Sequence, residues 1–497
     1  MPTTFRNFIA GRWVAPSTGQ YLVNTNPADT RDVIGRFPDS GAEDVEAAVR
    51  AARRGFDLWR RVPAPARGDV LRRVGDLLAE RKEAVADAMT REMGKVLAET
   101  RGDVQEGIDT AYYAASEGRR LFGHVVPSEL RQKWAMSWRR PIGVAGLVTP
   151  FNFPLAIPTW KMFPALVCGN AVVLKPSEDV PHTAHLLVEI LLEAGLPPDV
   201  IQLVHGRGAT VGKALVEHPD VPVISFTGST RTGSAIGETC GRMHKRLSLE
   251  MGGKNAMIVM DDADLDLALD GVLWGAFGTT GQRCTATSRL IVHRKVHDRF
   301  VARVAEAAEA LVLGDGRKKG TQVGPLIHAA AREKVERYVA LAADDRRLEV
   351  VTGGGRPKGA RTAHGWFYRP TVIAGVPAGH RLEQEEIFGP VLSVIRVGSF
   401  EEAVAVNNGV AYGLSSALYT RDVHRAFRAM ELLDNGITYV NAPTIGAEAH
   451  LPFGGVKQTG NGHREGGWEV YHFYSETKVG YADYSGTLQR AQIDNYD

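Results

Sequence analysis

Val144-Ala145-Gly146-Leu147-Val148 runs without a polar side chain into Thr149-Pro150-Phe151-Asn152-Phe153-Pro154. A short apolar run that stops at a proline-marked turn reads as a strand buried on both faces. The pattern recurs at 171–174 before Lys175-Pro176, at 200–204 before His205-Gly206, and at 223–226 before Thr227-Gly228. Helical spacing fills the gaps, as in 184–194. Parallel strands joined by right-handed helical crossovers produce this alternation. Ligands of such sheets sit outside the carboxyl ends of the strands, which here carry Asn152, Lys175 with Glu178, Gly208, and Gly228 with Ser229.

Upstream, Val45, Ala48, Val49, Ala52, Phe56 and Trp59 predict a helix, with Asp39 and Ser40 as capping candidates. A second helix holds Val70, Leu71, Val74, Leu77 and Leu78, and a third spans about 99–122. Downstream, Ala256–Val259, 290–292, a helix near 300–311, and strands near Val350, Val391–Val397, 416–418 and Ile437–Val440 make a second α/β lobe. Residues 128–140, with Trp134, Met136 and Trp138 alternating, read as an extended arm; with the polar tail from about 478 it fits pairing with another subunit or a surface flap.

Composition narrows the function classes. The 497 residues are 44% apolar and 23% charged with a net charge of +2, which fits a globular chain of several domains. A nucleic-acid or anionic-membrane surface calls for a basic stripe, so this balance favours a small-molecule ligand. No apolar run approaches the ~18 residues of a membrane span, and residues 1–13 show no secretory signal pattern. Three cysteines without a CxxC pair point to a reducing, cytoplasmic setting and to no metal site.

Cys284 sits in Thr279-Thr280-Gly281-Gln282-Arg283-Cys284-Thr285, poor company for a core cysteine, whereas Cys168 and Cys240 read as core. A catalytic thiol there would need access, a stabilised thiolate and donors for an oxyanion. Glu250, between an apolar strand and Gly252-Gly253, is under desolvation and suits a general base; pairing with Lys254 or Lys245 is the alternative. Asn152 is either an oxyanion donor or a turn residue. Glu178, just past a strand end, can accept from ribose hydroxyls and repel a 2′-phosphate. The glycine turns at Gly208 and Gly228 each open a helix without forming the full dinucleotide fingerprint. Glu386-Ile387-Phe388 places a carboxylate near an aromatic ring, a clamp for a ribose and a flat base.

Jointly these stretches resemble the NAD(P)-dependent aldehyde dehydrogenase superfamily, from Phe8-Ile9-Ala10-Gly11-Arg12-Trp13 to Pro452-Phe453-Gly454-Gly455, with Asn152, Lys175, Gly228, Glu250, Cys284 and Glu386 in the family's order. The resemblance implies two Rossmann-like α/β domains with a small β oligomerisation domain: 1–124 plus 141–249 plus 457–477 for the cofactor, 250–456 for catalysis, and 125–140 plus 478–497 for assembly into a homo-oligomer. It implies that Cys284 attacks an aldehyde, that the Asn152 side chain and the Cys284 N–H hold the oxyanion, and that hydride transfer leaves a thioester. Glu250 then activates water, with Lys161 and Glu465 relaying its proton. NAD, with NADP as an alternative, would contact Thr149, Lys175, Ser177, Glu178, Gly208, Gly228, Ser229, Met251, Gly252, Glu386 and Phe388. The loop 441–448 with its Gly446-Ala447-Glu448, Val104-Gln105-Glu106, and Gly281-Gln282-Arg283-Cys284 are similar to the α-aminoadipic semialdehyde dehydrogenase branch, although 175–178 and His450-Leu451-Pro452 depart from it. That branch implies Glu106, Phe153, Arg283, Gly446 and Ala447 around the substrate, while Arg283 also reads as structural and Glu106 as a solvated helix face. A carboxylate-bearing semialdehyde such as α-aminoadipic semialdehyde is the expected substrate, with a general-purpose enzyme for another semialdehyde or an aliphatic or aromatic aldehyde, a CoA-acylating variant and a catalytically silent NAD-binding protein as alternatives.

Overall fold

The computed structural model describes residues 2–495; residues 1, 496 and 497, the ends of the segments expected for the cofactor and assembly regions, lie outside the described residues. Two seven-stranded sheets carry the site. In the first, Arg246–Glu250, Val223–Thr227, Val144–Val148, Ala171–Lys175 and Ile201–Leu203 run parallel in that spatial order. Asn7–Ile9 and Arg12–Val14 then close one edge antiparallel. Val144–Val148 and Ala171–Lys175 are buried along their whole length, because helices including Ala42–Trp59 and Pro181–Glu193 cover the faces. Chain direction across the sheet reverses between Val144–Val148 and Val223–Thr227. The crevice beyond Val148 and Thr227 is therefore the topological switch point where such sheets take ligands.

The second sheet runs Glu349–Thr352, Thr371–Ala374, Val391–Val397, Arg289–His293, Ala256–Val259, Ser415–Tyr419 and Ile437–Val440, parallel except for its first strand. A separate three-stranded antiparallel sheet joins Ser475–Asp483, Lys133–Pro141 and His124–Pro127. The arm is thus a full strand, and the chain end joins it from Ser475, earlier than the tail expected from about 478. Aromatic Trp134 and Trp138 and aliphatic Val125, Val126 and Val479 remain exposed on it.

Local expectations needed correction at three places. Neither Asp39 nor Ser40 caps the first helix: Gly41 is the N-cap, its N–H donating to the Asp44 carboxylate at 3.0 Å. Ser40 instead accepts from Asn7 at 2.8 Å. A helix at Lys82–Met93, which the charged sequence conceals, packs Val85, Ala86, Met89 and Met93 inward and ends at Gly94 with φ +91°. The following helix is Leu97–Glu117, shorter than 99–122 at its end. No helix of the described residues is long and apolar enough to cross a membrane, and no group of three His, Cys, Asp or Glu among them could hold a metal ion.

Candidate active site

A cavity of about 930 Å³ opens at the switch point, between the two seven-stranded sheets. It is lined by Lys175, Ser177, Glu178 and Gly208, by Thr149, Gly228 and Ser229, and by Met251, Gly252, Glu386 and Phe388. Asn152 and Cys284 line the same cavity. Seven segments separated in sequence therefore converge where the sheet topology predicts a ligand.

Each segment is fixed by identifiable contacts. Lys175 is buried and its ammonium meets Glu178 at 3.0 Å. Burial disfavours the Glu178 carboxylate, but Lys175 and the N–H groups of Glu178 and Gly208 hold its carboxyl below the usual range. An ionised acceptor of this kind suits vicinal hydroxyls. Ser229 is the N-cap of Thr230–Arg242, its hydroxyl accepting from the Thr232 N–H at 3.4 Å. The N-terminus of this helix thereby lines the cavity, an arrangement that favours a phosphate.

The Gly253 N–H donates to Glu386 at 3.0 Å. A Cβ on Gly252 would lie 2.6 Å from the Glu386 carboxylate, so only glycine lets that carboxylate dock there. Phe388 has φ +61°, a region costly for an aromatic residue, and its ring meets Phe151 edge-on at 5.9 Å. Two carboxylates, Glu178 and Glu386, and the N-terminus of the helix Thr230–Arg242 line one cavity, a set of groups that fits the two riboses and the diphosphate of a dinucleotide.

Cys284 is half-buried. Its loop is strained: Thr279 and Thr280 have φ +50° and +58°, and Gly281 follows at +70°. A Cβ on Gly281 would sit 2.2 Å from the Gly389 carbonyl, so the cysteine loop is wedged against the Glu386–Phe388 segment. Asn255 then ties the two chains of the site together, its Nδ2 donating to the Cys284 carbonyl at 2.7 Å while its Oδ1 accepts from the Ser415 N–H at 3.1 Å. Burial, and then the carboxylates of Glu250 and Glu386, push the Cys284 thiol up to about 12; the N–H groups of Thr285 and Cys284 offset this only in part. The expected stabilised thiolate is therefore not built into the protein alone. Cys168 and Cys240 are core residues as expected, Cys168 also pushed up to about 12 by burial.

Glu250 lies behind the cavity wall. It pairs with neither Lys254 nor Lys245: Lys245 donates to the carbonyls of Val216 and His218, and the Lys254 ammonium has no hydrogen-bond partner among the described residues. One Glu250 oxygen is buried without a partner, and a Cβ on Gly454 would come within 2.5 Å of it. Burial and the neighbouring Glu465 raise its carboxyl well above the ordinary value, with Lys161 and Arg464 working against them. Lys161 forms an ion pair with Glu465, and Ser225 joins both, accepting from Lys161 at 2.9 Å and donating to Glu465 at 3.3 Å. Ser225 was missed by sequence reading; a hydroxyl inside the otherwise apolar run 223–226 was its only signal.

The five residues expected around the substrate stay outside the cavity wall. Arg283 is engaged: it meets Glu99 at 2.8 Å, donates to Thr279 at 2.9 Å, and lies over the Trp274 and Phe153 rings at 4.9 and 5.6 Å. Because Glu99 also accepts from the Thr279 N–H at 2.6 Å, Arg283 serves the cysteine loop and is not a free cation for a substrate carboxylate. Burial and Asp103 push the Glu106 carboxyl up to about 8, against the pull of Lys95 and Arg283. Gly446 is exposed with φ +124°, and Ala447 is half-buried beside it.

Comparison with known proteins follows the same lines. The model of the "Aldehyde dehydrogenase family" matches residues 13–479. The chain is 39% identical over 476 residues to the alpha-ketoglutaric semialdehyde dehydrogenase of Bacillus subtilis (96% of this chain, 97% of that protein). It is 40% identical over 480 residues to the alpha-ketoglutarate semialdehyde dehydrogenase of Haloferax volcanii (96% of this chain, 99% of that protein). A solved betaine aldehyde dehydrogenase from Staphylococcus aureus in complex with NAD+ superposes with a TM-score of 0.94 at 33% identity, covering 97% of this chain and 96% of that one.

Proposed function

Because the chain belongs to the aldehyde dehydrogenase family, we propose that it oxidises a carboxylate-bearing semialdehyde to the acid with NAD, through a thioester on Cys284. The observation that carries this reading is the single cavity lined by Cys284, by the Asn152 carboxamide and by both candidate ribose carboxylates, Glu178 and Glu386. The nucleotide supplies a hydride acceptor when bound.

The residues of the chain take the remaining roles. Cys284 gives its proton to solvent water in the open cavity and its sulfur bonds to the aldehyde carbon; the Asn152 N–H and the Cys284 N–H receive the developing oxyanion. Loss of hydride leaves a thioester. Glu250, deprotonated for this step, takes a proton from water, whose oxygen displaces the sulfur and releases the acid. Lys161 with Ser225 and Glu465 offers the proton a route away from Glu250. A water activator in this position favours hydrolysis over transfer to CoA.

The substrate class rests on the named relatives. Relatives at 39–40% identity are named for semialdehydes of a keto dicarboxylic acid, and in this reading the loop of Gly446 and Ala447, outside the wall of the cavity, would have to approach it for its N–H groups to reach the substrate carboxylate, which Arg283 does not serve. In the proposed organisation the cofactor region is 1–124 plus 141–249 plus 457–474 and the catalytic region 250–456, while 125–140 and the chain from Ser475, which joins the same sheet, pair with a second copy through the exposed aromatic arm. The test is kcat/KM with NAD and NADP for keto-acid, succinic, amino-acid and simple aliphatic aldehydes. A preference for the first two above tenfold, about 1.4 kcal/mol, supports the proposed class; equal use of aliphatic aldehydes contradicts it.

A further inference from the structure

Lys95 is a buried cation that the proposed chemistry leaves unused. Its side chain is wholly inaccessible, and its ammonium lies 3.4 Å from the centre of the Phe153 ring. That is close cation–π contact in a desolvated setting, where such contacts are strongest. The same ammonium meets Asp103 at 2.9 Å. The other Asp103 oxygen accepts from the Ala156 N–H at 2.7 Å, at the first residue of the helix Ala156–Cys168. Lys95 and Asp103 thus hold Phe153 by its ring and Ala156 by its backbone, on the chain segment that starts at Asn152. The guanidinium of Arg283, the neighbour of Cys284, approaches the same ring at 5.6 Å.

We propose that Lys95 is a positioning residue for the oxyanion donor: through Phe153 and Asp103 it fixes where the Asn152 carboxamide stands relative to the Cys284 loop. This rests on the reading of Asn152 as that donor. No atom of Lys95 lines the cavity, so its effect passes through the backbone that it clamps. Displacing a donor by an ångström removes most of its benefit to a transition state.

A double-mutant cycle on the full-length enzyme tests it. Lys95→Met keeps the bulk and removes the charge. It is expected to lower kcat/KM at least tenfold, chiefly through kcat, while NADH affinity measured by fluorescence titration stays within twofold. In an Asn152→Ala background the same change is expected to cost less than threefold, and Lys95→Arg is expected to recover part of the loss. Should Lys95→Met fail to fold, Phe153→Leu, which leaves the Lys95–Asp103 pair in place, is expected to show the same non-additivity. Equal losses in both backgrounds would overturn the inference while leaving the oxyanion reading intact. Full activity of Asn152→Ala alone would overturn both.

Discussion

Lys161 and Glu465 form an ion pair sealed inside the protein, and the Ser225 hydroxyl is bonded to each of them. The pair acts on Glu250 from both signs, Glu465 raising its carboxyl and Lys161 lowering it. Removing one partner should therefore move the base in a defined direction. Glu465→Gln leaves the Lys161 charge uncompensated, so the rising limb of the pH–kcat profile under hydrolysis-limited conditions should move to lower pH. Lys161→Met should move it to higher pH. Each variant strands a buried charge and should lose roughly 3–5 kcal/mol in denaturant unfolding.

Cys284 should be the thiol that alkylates, since Cys168 and Cys240 are sealed in the core. Its thiol is held protonated, near 12, so labelling by iodoacetamide without nucleotide should be slow at pH 7. The rate should rise about tenfold per pH unit up to pH 10, following the thiolate fraction. Peptide mapping with time at several pH values checks this; a pH-independent fast rate would show a thiolate already formed.

Lys254 is buried and unpartnered among the described residues, and burial with Arg289 lowers its ammonium to about 7. In the unfolded chain it ionises near 10.5, so between pH 7 and 10.5 the unfolded state holds the extra proton. This group therefore adds stability as pH rises through that window, and its charge is most costly below pH 7. Lys254→Met should raise Tm by about 2 °C or more at pH 6, with the gain shrinking toward pH 10.

Glu178 decides between the two nucleotides in this account. Its carboxylate, held ionised by Lys175, repels a 2′-phosphate. Glu178→Gln should raise KM for NAD roughly tenfold and narrow the NAD to NADP ratio of kcat/KM by a similar factor, an effect of about 1.4 kcal/mol on each. Initial rates with both nucleotides measure it.

The strands at 144, 171 and 223 were legible because burial on both faces makes them short, mostly apolar runs that stop at turn residues, and their ends pointed to Asn152, Glu178 and Ser229. Glu250 and Cys284 were legible as residues out of keeping with their neighbours. What stayed hidden was long-range pairing. That Glu99 claims Arg283, and that Lys95 finds both Asp103 and Phe153, depends on helices packing against loops far away in sequence. The helix Lys82–Met93 was obscured because its charged face dominates the local pattern. The electrostatics of Cys284 were equally illegible, because Glu386 lies over one hundred residues from it in the chain.

The most direct measurement is the intact mass of Glu250→Gln, quenched after mixing with NAD and an accepted aldehyde. Cys284 should accumulate one covalent acyl group while one equivalent of NADH forms, because the bond to sulfur is made and water is not activated. Unmodified protein after that NADH has appeared, or turnover at the unsubstituted rate, would contradict a thioester resolved by Glu250.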